Sequence, residues 1–232
     1  MKRLIAAIFL VGFGGVAQAA TLDTSSWTEA LSPSYGFDNG SWSTGGTSAS
    51  IGRKFSALIS DYGTDGDFSF SGQMTQTSSN VKGDGNMGVV FGWTDASNHY
   101  RMGWSAEVGL PDGDAGSSNQ NGFWLIKEMD GVDTVLANID DLFFELGATY
   151  DFSIERDGDT ILYSLFEGNT ELQSGVITDT SYMTGKVGVY AEKNASRFTG
   201  IELAPIPLPG TLPLLAGGLV LAGALGRRRR RR

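Results

Sequence analysis

Cysteine is absent from the 232-residue chain, which excludes disulfides, thiolate metal centres and a cysteine nucleophile. Basic residues are scarce through its body: of 17, Lys2, Arg3 and the block Arg227 to Arg232 lie at the two ends. That leaves nine basic residues against all 26 acidic ones between Ala20 and Gly226, a net charge of −17. A body that acidic repels nucleic acid and anionic membrane, and points instead to neutral or cationic partners and to divalent cations. No amphipathic helical pattern can be traced there, and four of the six prolines are confined to the stretch from Pro205 to Pro213. Glycine, at 33 residues, is about twice as frequent as usual and shows no G-X-Y period, which excludes collagen and favours a turn-rich β protein. With 41% apolar residues the chain has enough for a sizeable core.

The ends read as addresses. Lys2 and Arg3, the apolar run Leu4 to Val16 and the small-residue site Ala17-Gln18-Ala19 have the three parts of a secretory signal peptide, residues 1–19, with cleavage expected after Ala19. Its 13-residue apolar run is too short for a membrane span of ~20 residues. The proline-rich stretch from residue 204 to 210 marks an extended linker and ends the domain near Leu203. Residues 211–226 carry no charge and read as a short membrane helix, extended by Leu208 and by snorkelling of Arg227. The arginines, 227–232, hold that helix with its end on the cytoplasmic side.

Ile206-Pro207-Leu208-Pro209-Gly210, followed by the Leu-rich run and the arginines, resembles the C-terminal sorting signals of the PEP-CTERM class in its V-P-L-P-A variant, with Ile206 for Val and Gly210 for Ala. The resemblance implies a Gram-negative bacterium and transient anchoring in the cytoplasmic membrane. It also implies processing by an exosortase-type membrane protease near the proline motif, then transfer to the cell surface or extracellular matrix. It implies nothing about the chemistry of the cargo.

That cargo, residues 20–203, has a period of two. Phe68, Phe70 and Met74 alternate with Ser69, Ser71 and Gln73; Tyr100, Met102 and Trp104 with His99, Arg101 and Gly103; Tyr150, Phe152 and Ile154 with Asp151, Ser153 and Glu155. Half-buried antiparallel strands read this way. Further strands are expected at 87–93, 123–129, 134–137, 160–166, 186–191 and 197–203, punctuated by Asp84-Gly85, Asp130-Gly131, Asp157-Gly158 and Gly168-Asn169. The expected fold is all-β, a two-sheet antiparallel jelly-roll sandwich. The strings from Gly88 to Trp93, Asn98 to Trp104, Thr149 to Gly158 and Gly185 to Tyr190 resemble concanavalin A-like and laminin G-like jelly rolls, including the thrombospondin C-terminal domain. What that resemblance implies is a fold serving lectins, adhesion modules and several polysaccharide-cleaving enzymes, so function rests on the site.

Catalytic residues are not evident. The E-x-D-x-x-E string of laminarinase-type relatives is approached by Glu155-Arg156-Asp157, but Thr160 stands where the last glutamate is required, and Asp157-Gly158 reads as a hairpin turn. His99, the single histidine, shares a strand face with Arg101 and reads as a surface polar residue. Calcium is the expected ion: Asp61, Asp65 and Asp67 fall within seven residues, and Asp112 and Asp114 stand in a second acidic loop with Asn119 and Asn121. Neither loop matches an EF-hand, and both also read as solvated turns. Trp93, Tyr100, Trp104 and Trp124, at strand ends or beside the second loop, are the candidate faces for stacking on a sugar, with packing as the alternative for each. Two functions follow from different classes. One is a non-enzymatic surface or matrix protein that binds extracellular polysaccharide or serves structurally; the other is a polysaccharide hydrolase or lyase.

Overall fold

A computed structural model describes residues 20–30, 42–52, 56–78, 85–105, 122–140, 142–192 and 195–205. The signal segment with Ala17 and Ala19, the sorting motif Ile206 to Gly210, the apolar run, the arginine block and the loop holding Asp112 and Asp114 lie outside the described residues. The chain's contacts gather Ala19–Pro205 into one unit.

Period-two segments with β-branched and aromatic residues fit a pleated surface, and the described residues form fifteen strands. In chain order they are β1 (Ala20–Thr21), β2 (Thr28–Ala30), β3 (Trp42–Gly45), β4 (Ser48–Ile51), β5 (Ser56–Thr64), β6 (Phe68–Ser78), β7 (Asn86–Asp95) and β8 (Asn98–Ser105). There follow β9 (Phe123–Met129), β10 (Val132–Ile139), β11 (Thr149–Asp157), β12 (Thr160–Glu167), β13 (Thr170–Thr178), β14 (Gly185–Glu192) and β15 (Ala195–Pro205). The expected turns join them: Asp130 (φ 53°) and Gly131 (φ 77°) link β9 to β10, and Gly158 (φ 59°) lies in the turn from β11 to β12.

Every pairing is antiparallel. The first sheet, A, runs β13-β12-β11-β6-β15-β4-β3 with β1 also on β15, and the second, B, runs β10-β9-β8-β7-β14-β5-β2. Between them lies one core drawn from both: Phe70, Met74, Phe152, Ile154, Leu165 and Phe198 from A, and Leu58, Val89, Phe91, Tyr100, Trp104 and Leu125 from B. This is the two-sheet sandwich that the sequence predicts.

The sheets differ in their outward faces. Sheet A keeps the expected alternation, with Ser69, Ser71, Gln73, Asp151, Ser153 and Glu155 partly or fully exposed between buried neighbours. Sheet B does not. Its outward face carries a second apolar cluster of Ala57, Ile59, Val90, Trp124, Ile126 and Tyr190, so β7 and β9 are buried on both sides. The runs Met87 to Phe91 and Phe123 to Ile126 are continuous apolar stretches for that reason.

Candidate functional site

The candidate aromatics separate by face. Tyr100 and Trp104 point into the core between the sheets and are fully buried. Trp104 packs edge-on to Tyr150 at 4.4 Å; Tyr100 stacks on Phe91 at 4.9 Å and donates its hydroxyl to Asp179 Oδ1 at 2.6 Å. Neither offers a face to a ligand, because alternation along β8 turns positions 100, 102 and 104 inward. Trp124 turns outward but is also fully buried, so it too leaves the set of stacking candidates. Trp93, at the margin of the outward cluster of sheet B, is half-buried and is the one of the four that retains exposed surface.

Nor do the acidic candidates converge. Asp61 and Asp65 are exposed, whereas Asp67 Oδ1 accepts the Gly158 N–H at 2.7 Å and thereby secures the β11–β12 turn. Among the described residues no three His, Asp or Glu side chains gather as a metal ion requires. The Glu155-Arg156-Asp157 string is divided by the pleat: Arg156 is fully buried while Glu155 and Asp157 face solvent, and Asp157 pairs with Thr160 to close the hairpin.

What the fold does assemble is the outward face of sheet B. Register sets His99 of β8 opposite Glu128 of β9, and Glu128 opposite Asp133 of β10. One step along the strands, Arg101 stands opposite Ile126 and Val90; the next step sets Gly103 opposite Trp124 and Gly88, with Gly88 in turn opposite Tyr190. Gly103 is required there. A Cβ on it would overlap the Tyr190 hydroxyl and the Trp124 ring, both of which lie over the sheet at this position. Arg101 covers the same indole, its guanidinium carbon 5.6 Å from the ring centre.

The polar row at the other end is buried and titratable. Contrary to the surface position expected for it, His99 is 3% exposed, and Glu128 is 2% exposed. His99 Nε2 lies 3.5 Å from Glu128 Oε2, and Nδ1 lies 3.2 Å from the Asp95 carbonyl oxygen. The Trp93 ring packs on the imidazole at 4.7 Å. Burial, helped by the charge of Arg101, holds the His99 pKa down to about 3, so the ring is neutral near pH 7. Burial raises Glu128 to about 7, with Asp133 and Asp95 adding to the rise and Arg101 opposing it. The His99–Glu128 contact is therefore not an ion pair at neutral pH. Arg101 instead donates to both carboxylate oxygens of Asp133 at 3.0 Å and stands 3.5 Å from Glu128.

Glu128 Oε1, Trp124 Nε1 and Tyr190 Oη are among the polar atoms on this face that have no hydrogen-bond partner though closed to water. Buried polar groups are nearly always satisfied, and exceptions concentrated on one face mark a place where something else supplies the partner. The row was only partly visible in the sequence. The sequence places His99 and Arg101 on one strand face, but their acidic neighbours Glu128 and Asp133 lie 27 to 34 residues further on, and only register brings them together.

No protein family's sequence profile matches the chain, and no curated protein matches it. Solved structures do. The chain is similar to the carbohydrate-binding module CBM66 from Bacillus subtilis, at 18% identity and a TM-score of 0.55, over 75% of this chain and 99% of that one. The CBM2 module of the evolved Dit of Lactobacillus casei BL23 phage J-1 is similar at 12% identity and a TM-score of 0.54, over 80% and 92%. The exoplasmic/lumenal domain of VIP36, in a form bound to Ca2+ and Man3GlcNAc, is similar at 12% identity and 0.52, over 78% and 89%. At these identities the likeness is one of fold: the jelly-roll sandwich of carbohydrate-binding modules and lectins.

Proposed function

We propose that this chain is an exported, non-catalytic carbohydrate-binding protein of the cell surface or extracellular matrix, and that it binds polysaccharide at the outward face of sheet B. The observation that carries the reading is the row on that face: a half-exposed Trp93 packed on His99, beside a buried Glu128 with an unpartnered oxygen. An aromatic face next to fixed hydrogen-bonding groups suits a sugar, which presents an apolar C–H face and a rim of hydroxyls. The jelly roll is shared with proteins named as carbohydrate-binding modules and with a glycan-bound lectin domain, which supports the reading. Calcium belongs to the proposal as a bridge between the acidic body and an acidic polysaccharide, with Asp61 and Asp65 free to take part and Asp112 and Asp114 as further ligands. Export rests on the signal peptide and the sorting tail, and release from the cytoplasmic membrane on an exosortase-type protease acting near Pro207 to Gly210.

A second reading, hydrolysis, is favoured by one observation: Glu128, raised to about 7, stands directly across from Asp133. Glycoside hydrolysis needs a protonated and an ionised carboxyl. Incubating the full-length protein with insoluble polysaccharides, with Ca2+ or with chelator, while scoring retention and reducing-end release, separates the two. Retention without release is expected. Steady release that Glu128→Gln abolishes would make the protein an enzyme, and no retention on any polysaccharide would overturn the binding function.

A further inference from the structure

The row that runs across β7, β8, β9 and β10 on the outward face of sheet B brings together unlike groups. Trp93 is half-exposed, His99 lies beneath it, and Glu128, Arg101 and Asp133 complete the line, joined by contacts of 3.0–3.5 Å beyond the 4.7 Å ring contact. Hydrogen bonding in it is incomplete at Glu128. The Arg101 guanidinium is engaged by Asp133, His99 Nδ1 by Asp95, and the Glu128 carbonyl by the Tyr182 hydroxyl at 2.8 Å, yet Glu128 Oε1 accepts nothing. An ionised carboxylate is acceptor only. What Glu128 Oε1 lacks is thus a donor, and one carried by a group that adds no negative charge next to Glu128 and Asp133.

Resting on the carbohydrate-binding reading above, we propose that this row is a subsite for an uncharged sugar residue, in which the Trp93 ring provides the stacking face and Glu128 Oε1 accepts a hydroxyl, and that the same carboxylates turn away uronic acids. Oε1 is closed to solvent in the free protein, so a sugar hydroxyl reaches it by displacing a side chain packed over it. Selectivity follows from charge. The single cation of the row, Arg101, already serves Asp133 and Glu128, and Asp95 adds a third acid nearby, so a uronate carboxylate at Oε1 would meet like charge.

Proton linkage gives this proposal a readout that stacking alone would not move. The groups facing Glu128 are His99 and Arg101 from β8, Asp133 from β10, Asp95 at the end of β7 and the Tyr182 hydroxyl at its backbone. Of these, His99 stays neutral at and above pH 5, because its pKa is held near 3. A hydroxyl donated to Oε1 favours the ionised carboxylate, so the sugar lowers the Glu128 pKa from about 7 and binding releases a proton. Affinity then rises with pH up to about 7 and levels off above it, with a slope of no more than about tenfold per pH unit for one proton.

The test uses the full-length protein and measures retention on dextran, a β-glucan, a galactomannan, alginate and polygalacturonate at pH 5, 6, 7 and 8 without added calcium. The expected result is retention on at least one of the three neutral polysaccharides, several-fold stronger at pH 8 than at pH 5, and none on the two uronates. Glu128→Gln should bind more weakly at pH 8 and lose the pH dependence, and Trp93→Ala should weaken binding tenfold or more at every pH. Circular dichroism checks the fold of each variant, and the surface position of Trp93 keeps the test decisive where Glu128→Gln fails to fold. Retention on a neutral polysaccharide with the same strength and pH profile in both variants would overturn the subsite and leave carbohydrate binding standing. Preference for the uronates without calcium would likewise overturn it. No retention of the parent on any neutral polysaccharide would overturn the carbohydrate reading and this subsite with it.

Discussion

Asp179, in the connection between β13 and β14, joins the two sheets through one residue. Its carboxylate takes Lys127 Nζ and the Tyr100 hydroxyl at 2.6 Å each and the Ser181 N–H at 2.7 Å, while its carbonyl accepts from the buried Arg156 at 2.7 Å. Burial alone would raise its pKa, but the lysine, tyrosine and serine donors outweigh that and hold the carboxyl well below the usual carboxylate range. A lowered folded pKa contributes stability that is full above the unfolded value of 3.8 and is lost as pH falls through the folded value. Asp179→Asn should therefore lose about 1.5–3 kcal/mol at pH 7, and its gap from the parent in urea unfolding should narrow as pH approaches 2. A gap independent of pH would contradict the charge-assisted network. Glu128 has the opposite sign: its folded pKa of about 7 exceeds the reference 4.5, so its contribution is full below pH 4.5 and lost as pH rises toward 7. Glu128→Gln should accordingly gain thermal stability relative to the parent on going from pH 5 to pH 8; a relative loss would mean that the carboxylate is well paired when ionised.

At the scale of elements, the two sheets divide the labour. Sheet A turns a polar face to solvent and a core face inward, and its strands β6, β11 and β12 were legible because alternation is strict. The central strands of sheet B are buried on both faces, and half of the sheet's pattern is legible. The inward turn of Tyr100, Met102 and Trp104 could be read from alternation, but alternation cannot say that positions 99, 101 and 103 are buried as well. That depends on Trp124 and Tyr190, which arrive from β9 and β14 and lie over the glycines of β7 and β8. Strand β13 is not legible in the sequence because Thr170–Thr178 mixes exposed with partly exposed residues and shows no buried alternate face. The short β1, β2 and β3 hold their places by pairing and not by periodicity. Trp104 and Trp93 test the division. Trp104→Ala empties the core between the sheets and should lose about 3–5 kcal/mol, whereas Trp93→Ala, at the margin, should change stability by under ~1 kcal/mol. Gly103→Ala adds one methyl group, yet the overlap with Trp124 and Tyr190 should destabilise by about 1–3 kcal/mol in denaturant melts. Neutral behaviour there would mean that the outward cluster is loosely packed.

Across the whole molecule, the unit Ala19–Pro205 holds every strand of the described residues, and β15 runs through Pro205, two residues past the boundary that the proline-rich stretch suggests, with Pro205 still opposite Phe68. A fragment from Ala20 to Pro205 should fold alone, giving a β-type circular dichroism spectrum and cooperative unfolding; a non-cooperative melt would mean that the ends contribute to the fold. Processing near Pro207 to Gly210 would leave a surface form without its six arginines, and mass spectrometry of the exported protein reads that directly, an intact arginine terminus being the contrary result. At this scale the proposal is an acidic jelly roll that binds a neutral polysaccharide through the outward face of sheet B. Isothermal titration of the full-length parent and Trp93→Ala with the polysaccharide that the parent retains tests it most directly. Measurable binding by the parent is expected, with a loss of about ten- to a hundredfold in the variant, roughly 1–3 kcal/mol, and a thermal midpoint shifted by no more than about 4 °C. Equal affinity in the two proteins, or no binding heat in the parent with any neutral polysaccharide, would contradict it.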